Sequence, residues 1–192
     1  QETKQEETKV HIPEQLKTRA VRSYTDIIMS MWCEIPKVTS KSAPIIMRKI
    51  DIKELICCLP ENKIKMRDVI ANLSFTSGTK IGQVKADAIM QVASVGIDPL
   101  NIPAVRDIHA KILSQVPSIS QEVANAVLEV TDLHTMCRII AEKNRFRTED
   151  LEDLIADIKR PPKGTRKIGK AAAKKIIEVL SSEPDLSQLP TE

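Results

Sequence analysis

The sequence predicts an all-α protein built from two tandem units. Apolar residues recur along most of the chain with a period near 3.6 rather than 2, which is the signature of amphipathic helices. Aromatic residues are scarce, so the core must be aliphatic, and an aliphatic core suits packed helices better than a β-sandwich. In addition, one ordered set of motifs occurs twice along the chain, which indicates an internal duplication.

The apolar periodicity predicts ten helices. They fall at about 13–32, 40–48, 51–59, 65–73, 83–95, 102–114, 121–129, 132–143, 148–158 and 170–180. Asp51, Asp132 and Thr148 are expected as N-caps, because their short polar side chains can accept hydrogen bonds from unpaired amides at a helix start. Proline is expected to end one helix at Pro60 and another at Pro161 and Pro162.

The two ends of the chain lack this pattern. Residues 1–12 begin with a polar run without apolar periodicity, which predicts a disordered segment or a linker. Residues 182–192 carry two prolines and scattered acids, which predicts a flexible tail. The intervening chain divides into a first unit at 13–97 and a second unit at 98–181.

The duplication is visible in aligned segments. Residues 34–40 align with 115–121, which places Pro36 opposite Pro117 at a shift of 81 residues. The shift becomes 87 residues between Gly82 and Gly169, so the second unit carries about six extra residues before its last turn.

Each unit is itself double, because a shorter pattern occurs four times in the chain. It consists of an apolar residue, a small residue, Ala four positions later, and Ile or Val three positions after that. The Ala and the Ile or Val would share one helix face, where Ala allows a neighbouring helix to approach closely. The four copies are Val38-Thr39…Ala43…Ile46, Ile81-Gly82…Ala86…Ile89, Ile119-Ser120…Ala124…Val127 and Ile168-Gly169…Ala173…Ile176.

This pattern resembles the helix-hairpin-helix motif. In pairs, the copies resemble the double helix-hairpin-helix domain at the C-terminal end of XPF-type structure-specific endonucleases, and the second unit is most similar to the XPF-like nucleases of large DNA viruses. The resemblance implies two tandem double helix-hairpin-helix units, for which packing as an intramolecular pseudo-dimer is one arrangement. It also implies that hairpin amides and the following helix N-terminus grip DNA phosphates without reading bases, as the physics of helix dipoles allows.

The four hairpins depart from the family pattern to different degrees. The first hairpin of each unit lacks the first glycine, which is replaced by Lys37 and Ser118, and these two turns are expected to be architectural. The second hairpins keep Gly82 and Gly169. Residues 159–175 contain eight basic residues and no acid, whereas the chain as a whole carries a net charge of only +3. The second hairpin of the second unit is therefore the preferred DNA site.

The predicted DNA-binding residues follow from this ranking. The main set is Lys163, Gly164, Thr165, Arg166, Lys167, Gly169, Lys170 and Lys174. A weaker set lies in the first unit and consists of Gly78, Thr79, Lys80, Gly82 and Lys85. The expected partner is branched or single-strand-bearing DNA, bound through its backbone.

Catalysis is not expected from this chain. The acidic signature of XPF-type nucleases does not occur, nor do a P-loop or a nucleophile elbow. The acids at 149–153 are interpreted as a helix start that complements the helix dipole rather than as a metal site. No catalytic residue, metal site or cofactor is predicted. The four cysteines are expected to be reduced and the protein intracellular, in the nucleus or at sites of viral or cellular DNA replication and repair.

Two alternatives remain open at this level. The chain could be a protein-interaction scaffold that self-associates or binds an XPF-type nuclease subunit, with little DNA binding of its own. It could also be the binding region of an enzyme whose nuclease domain precedes Gln1. No apolar run is long enough for a membrane span, so a membrane partner is not expected.

Overall fold

The computed structural model describes residues 22–94, 102–142, 145–161 and 166–189, and the prediction for residues 1–12 lies outside them. Ten α-helices lie in these parts of the chain, and this helical content confirms the predicted all-α class. They are α1 Tyr24–Cys33, α2 Ser42–Met47, α3 Ile52–Ile56, α4 Lys63–Asn72, α5 Gln83–Met90, α6 Ile102–Ser114, α7 Gln121–Val130, α8 Leu133–Ala141, α9 Thr148–Asp157 and α10 Lys170–Ser181. Short 3-10 turns follow at Pro60–Asn62, Gln91–Ser94 and Leu186–Gln188.

Side chains cap several of these helices, as the sequence predicts. The Asp51 carboxylate accepts a hydrogen bond from the Lys53 amide, and Asp132 accepts one from the Thr135 amide, both at 2.8 Å. The prediction for Thr148 is wrong, because Thr148 is the first residue of α9 and Arg147 occupies the cap position without a side-chain hydrogen bond. The acids that follow in the first turn of α9 stabilise that helix start through the helix dipole instead.

The predicted proline stops lie beyond the actual helix ends. Helix α3 ends at Ile56, and Pro60 is the first residue of the next 3-10 turn, a position that needs no backbone N–H. Helix α9 ends at Asp157, because Ile158 turns into an extended conformation before Pro161 is reached.

The first hairpin of each half of the chain uses the same backbone hydrogen bonds. We call residues 24–94 the N-terminal half and residues 102–181 the C-terminal half. Two consecutive four-residue turns link α1 to α2 and α6 to α7 at positions that correspond under the 81-residue shift. Between α1 and α2, the Ile35 amide donates to the Trp32 carbonyl and the Val38 amide donates to the Ile35 carbonyl. Between α6 and α7, the Val116 amide donates to the Leu113 carbonyl and the Ile119 amide donates to the Val116 carbonyl.

The second hairpins also correspond, with two additional residues in the C-terminal half. A single antiparallel bridge joins Ser74 to Lys80 in one half and Lys159 to Lys167 in the other. The glycine amides that precede α5 and α10 then close the turn on the carbonyls of α4 and α9. The bonds run from Gly82 to Ala71 and from Gly169 to Ala156, at 3.0 Å in each case.

The repeated alanines lie at the centres of the helix contacts. Ala43, Ala86, Ala124 and Ala173 have no exposed surface, and the Ile or Val three positions after each of them is at most 1% exposed. The predicted reason for the spacing therefore holds, since each alanine sits where a larger side chain would separate the packed helices.

The two halves share one hydrophobic core and pack through corresponding elements. Helix α1 contacts α6 and α3 contacts α8, and both pairs are counterparts in the duplication. Glu34 and Gln115 are also counterparts, and the Gln115 Nε2 donates a 2.9 Å hydrogen bond to the Glu34 Oε1. The two halves are therefore joined through α1, α3, α6 and α8.

The segment after α10 differs from the expectation of a flexible tail. The Asp185 amide donates a 2.9 Å hydrogen bond to the Thr25 hydroxyl of α1, and Leu189 is only 4% exposed. Residues 182–189 therefore fasten the end of the C-terminal half to the start of the N-terminal half.

Candidate nucleic-acid interface

The hairpin between α9 and α10 is the preferred site from the sequence. Its Gly169 has a φ of 87°, a left-handed conformation that favours glycine, and it opens α10 without any side-chain cap. The first amides of α10 therefore lack both an intrahelical partner and a capping side chain, which makes this end attractive to an anion. The predicted residues Lys163, Gly164 and Thr165 lie outside the described residues.

Three of the predicted cations at this hairpin are already paired with acids. The Lys167 ammonium lies 2.6 Å from the Asp157 carboxylate, Lys170 lies 2.9 Å from Asp153, and Lys174 lies 4.0 Å from Glu178. The hydrogen bond and the charge of Asp153 raise the pKa of Lys170, which therefore stays protonated. All these groups are well exposed, so each pair contributes little to stability and can exchange its partner for a phosphate.

Arg166 and two residues outside the predicted set, Lys159 and Arg160, add further positive charge at this hairpin. Within the parts of the chain that the structure describes, Lys159, Arg160 and Arg166 are exposed and form no ion pair. The Arg160 amide donates a 2.7 Å hydrogen bond to the Arg166 carbonyl, so the hairpin holds these two arginines side by side. Lys159 and Arg160 belong to the predicted basic run, but only the backbone pairing reveals that they lie opposite Lys167 and Arg166.

The hairpin between α4 and α5 has a different electrostatic environment. Gly78 and Gly82 have φ values of 80° and 85°, and Gly82 opens α5 without a side-chain cap. The Lys80 ammonium donates a 2.9 Å hydrogen bond to the Asn72 side-chain oxygen, and Lys85 lies 6.0 Å from the centre of the Phe75 ring. Thr79, another residue of the weaker predicted set, is exposed in the turn.

One substitution between the halves explains this difference. Asn72 and Lys80 are the counterparts of Asp157 and Lys167. The lysine therefore contacts a neutral amide in the N-terminal half and a negatively charged carboxylate in the C-terminal half. Helix α4 also carries Lys63, Lys65 and Arg67 where α9 carries Thr148, Asp150 and Glu152, but Lys63 and Lys65 lie at the end of α4 away from the hairpin, and Arg67 pairs with Asp68 and Asp87. The neutral contact of Lys80 alone therefore makes the α4–α5 hairpin a stronger candidate than its short basic sequence indicates.

The two proline-containing hairpins keep the geometry of the missing glycine. Lys37 has a φ of 67° and Ser118 has a φ of 73°, although neither is glycine. The first amides of the following helices are bonded by side chains, since the Ser120 hydroxyl accepts a hydrogen bond from the Val123 amide and the Thr39 hydroxyl accepts one from the Ser42 amide. Amides that are already bonded are not available to a phosphate, which favours the architectural interpretation of these turns.

Within the described ranges there is neither a metal-binding cluster nor a membrane-spanning helix. These residues contain no group of three or more His, Cys, Asp or Glu side chains that could hold a metal ion. No helix among them is long and apolar enough to span a bilayer.

No family model, curated protein or solved structure matches this chain. A function must therefore be inferred from its own residues and their geometry.

Proposed function

We propose that this protein is a non-catalytic module that docks on the phosphate backbone of DNA through the α4–α5 and α9–α10 hairpins of two double helix-hairpin-helix units. The observation that carries the proposal is the shared construction of these two turns. In each turn a left-handed glycine, Gly82 or Gly169, opens a helix without a side-chain cap. Lys80 and Lys85 lie in or just after the first of these turns, and Lys159, Arg160, Arg166 and Lys167 lie in the second. In contrast, side chains bond first amides of the helices that follow the other two hairpins.

Phosphate binding explains these features better than base recognition does. Helix N-terminal amides and exposed cations bind phosphate oxygens, which positions a protein on DNA but distinguishes little sequence. Aromatic platforms for stacking bases are scarce, since the whole chain has four aromatic residues. Branched or single-strand-bearing DNA is the preferred ligand in this proposal, and a role beside or within a repair or recombination nuclease follows from the XPF-type resemblance.

Binding to a forked duplex, followed by fluorescence anisotropy over a range of salt concentrations, tests the proposal. The wild-type protein is expected to bind with a Kd on the order of micromolar or tighter, and affinity should fall steeply as salt rises. Replacing Arg160 and Arg166 together by Gln should weaken binding roughly tenfold. It should also reduce the slope of log affinity against log salt by about 1.8, because two phosphate contacts are lost.

Two further variants make this test specific. Replacing Arg106 and Arg145 by Gln removes the same charge away from the α9–α10 hairpin, where these residues pair with Glu129 and Glu142. This control should leave the salt slope unchanged. Asp157→Asn copies the Asn72 of the other half and releases Lys167 from an ion pair, so it should strengthen binding severalfold. Equal effects of the two double variants, or undetectable binding at low salt, would refute the proposal.

A protein-interaction scaffold is a second candidate, favoured by an exposed apolar surface on the N-terminal half. Ile64 and Val69 of α4 are 66% and 42% exposed, and neighbouring Leu59 is 51% exposed. Solution mass with and without forked DNA separates the candidates. A monomer that binds DNA supports the docking module, whereas a stable dimer without DNA affinity supports the scaffold.

A further inference from the structure

Two cysteine thiols from opposite halves meet where α3 packs on α8. Cys57 directly follows α3, and its thiol donates a 3.8 Å hydrogen bond to the His134 carbonyl of α8. Cys137 lies three residues further along α8 and is completely buried, and the two thiols are close enough for each to shift the pKa of the other. Both residues are free cysteines in this structure.

The two thiols differ in access and in acidity. Cys57 is half-buried and lines an open cleft of about 540 Å³, whereas Cys137 is completely buried. The hydrogen bond from Cys137 lowers the pKa of Cys57, and the nearby Arg138 lowers it further, although burial and the carboxylates of Asp132 and Asp51 oppose this. The same hydrogen bond, together with burial, raises the pKa of Cys137. Cys57 is therefore the reachable and more nucleophilic thiol of the pair.

We propose that Cys57 and Cys137 form a peroxide-responsive pair that links the two halves of the chain by a reversible disulfide. The Cys57 thiolate attacks one oxygen of hydrogen peroxide, an S–O bond forms, and the O–O bond breaks. Hydroxide leaves and Cys57 becomes a sulfenic acid. The Cys137 sulfur then attacks the Cys57 sulfur, so that the S–S bond forms and the S–O bond breaks. The departing hydroxide takes the Cys137 proton and leaves as water, and the two thiols have lost two electrons in total.

The other two cysteines provide internal competitors. Cys58 adjoins Cys57 in the sequence, but it is buried and its thiol donates to the Leu59 carbonyl at 3.6 Å. Cys33 is the exposed cysteine of the four, yet partial burial of its thiol and the charge of Glu34 raise its pKa. Exposure alone would make Cys33 react first and sequence proximity would favour a Cys57–Cys58 bond, whereas the packing of α3 on α8 favours Cys57–Cys137.

The test is to treat the full chain with a small excess of hydrogen peroxide and map its disulfides by mass spectrometry of tryptic peptides under non-reducing conditions. We expect a species lighter by two hydrogen atoms, with the peptide that contains Cys57 joined to the peptide that contains Cys137, and full reversal by dithiothreitol. The oxidised form should also unfold several degrees higher, because the bond closes a long loop between the halves.

Three variants make the result decisive. Cys58→Ser should form the same cross-link at the same rate, and Cys57→Ser should abolish it. Cys137→Ala should leave a sulfenic acid on Cys57 that dimedone labels, because no resolving thiol remains. Cross-linking of Cys57 to Cys58 in the wild type, loss of the disulfide in Cys58→Ser, or oxidation of Cys33 before Cys57 would overturn the proposal. Cys57 and Cys58 share one tryptic peptide, so the cross-link in Cys58→Ser and its absence in Cys57→Ser decide the matter even where Cys137→Ala does not fold.

Discussion

His109 on α6 is a buried histidine whose proton linkage should destabilise the protein in mild acid. Its side chain is 2% exposed, and its Nε2 atom has no hydrogen-bond partner among the described residues. Burial lowers the pKa of His109 from 6.5 to about 4, which outweighs the opposing effects of a hydrogen bond with the Val92 backbone and of the Asp132 charge. The imidazole is therefore neutral in the folded protein at neutral pH.

The size of the effect follows from proton linkage. Because the folded pKa is depressed, the unfolded chain binds the proton first, and stability falls as pH decreases from 6.5 toward 4. The difference between the two states amounts to about 1 kcal/mol at pH 6 and about 2 kcal/mol at pH 5, and it levels off at about 3 kcal/mol below pH 4. For a chain of this length, 2 kcal/mol corresponds to a shift in melting temperature of about 4–8 °C.

The duplication supplies the control variant. Ile28 is the counterpart of His109 in the N-terminal half and is also buried, so His109→Ile places a side chain that the fold already accepts at this position. Urea unfolding of both proteins between pH 7.5 and pH 4.5 measures the difference, since other titrating groups contribute equally to both. The variant should match or exceed the wild type at pH 7.5 and gain about 2 kcal/mol relative to it at pH 5. A stability difference that is constant across this range would refute the assignment of His109 as a buried neutral base.

Further predictions concern the hairpins, the helix contacts and the C-terminal segment. Lys37→Gly and Ser118→Gly should each stabilise the protein by about 0.5–1 kcal/mol in urea unfolding, because glycine adopts the left-handed turn without strain; destabilisation would show that the side chains contribute to packing. Ala173→Leu should destabilise the fold by about 1–3 kcal/mol through overpacking, whereas the exposed Ala171→Leu should change the unfolding free energy by less than about 0.5 kcal/mol. Leu189→Ala should cost about 2 kcal/mol and speed amide exchange in residues 182–189; unchanged exchange would contradict the observed anchoring to α1.

The sequence predicts the local features of this fold well, because they depend on neighbouring residues. The ten helices, the caps at Asp51 and Asp132 and the buried alanines such as Ala173 all follow from periodicity and spacing. Thr148 and Pro60 show the limit of this approach. A residue such as Thr148 can lie at the cap or at the first position of a helix, and a proline such as Pro60 can end one helix or begin the next turn. Only the backbone conformation distinguishes these positions.

The candidate site is harder to predict, because its electrostatics depend on residues that are close only in space. A basic run in the sequence does not reveal that Asp157 pairs with Lys167 or that Asp153 pairs with Lys170. Likewise, the modest charge of the α4–α5 hairpin does not reveal that Lys80 contacts the neutral Asn72. Both comparisons require the register of each hairpin, which the glycine motif alone does not specify.

The sequence by itself therefore determines an all-α chain and the positions of its turns, because periodicity and the spacing of glycine and alanine act over a few residues. The tertiary structure decides how the copies meet, and this places Cys57 against Cys137 and the tail residue Leu189 in the core. It also decides which lysines form ion pairs with acids, as Lys167 and Lys170 do. The physical reason is that long-range packing and ion pairing depend on distances between segments, and those distances arise only when both halves bury one common core.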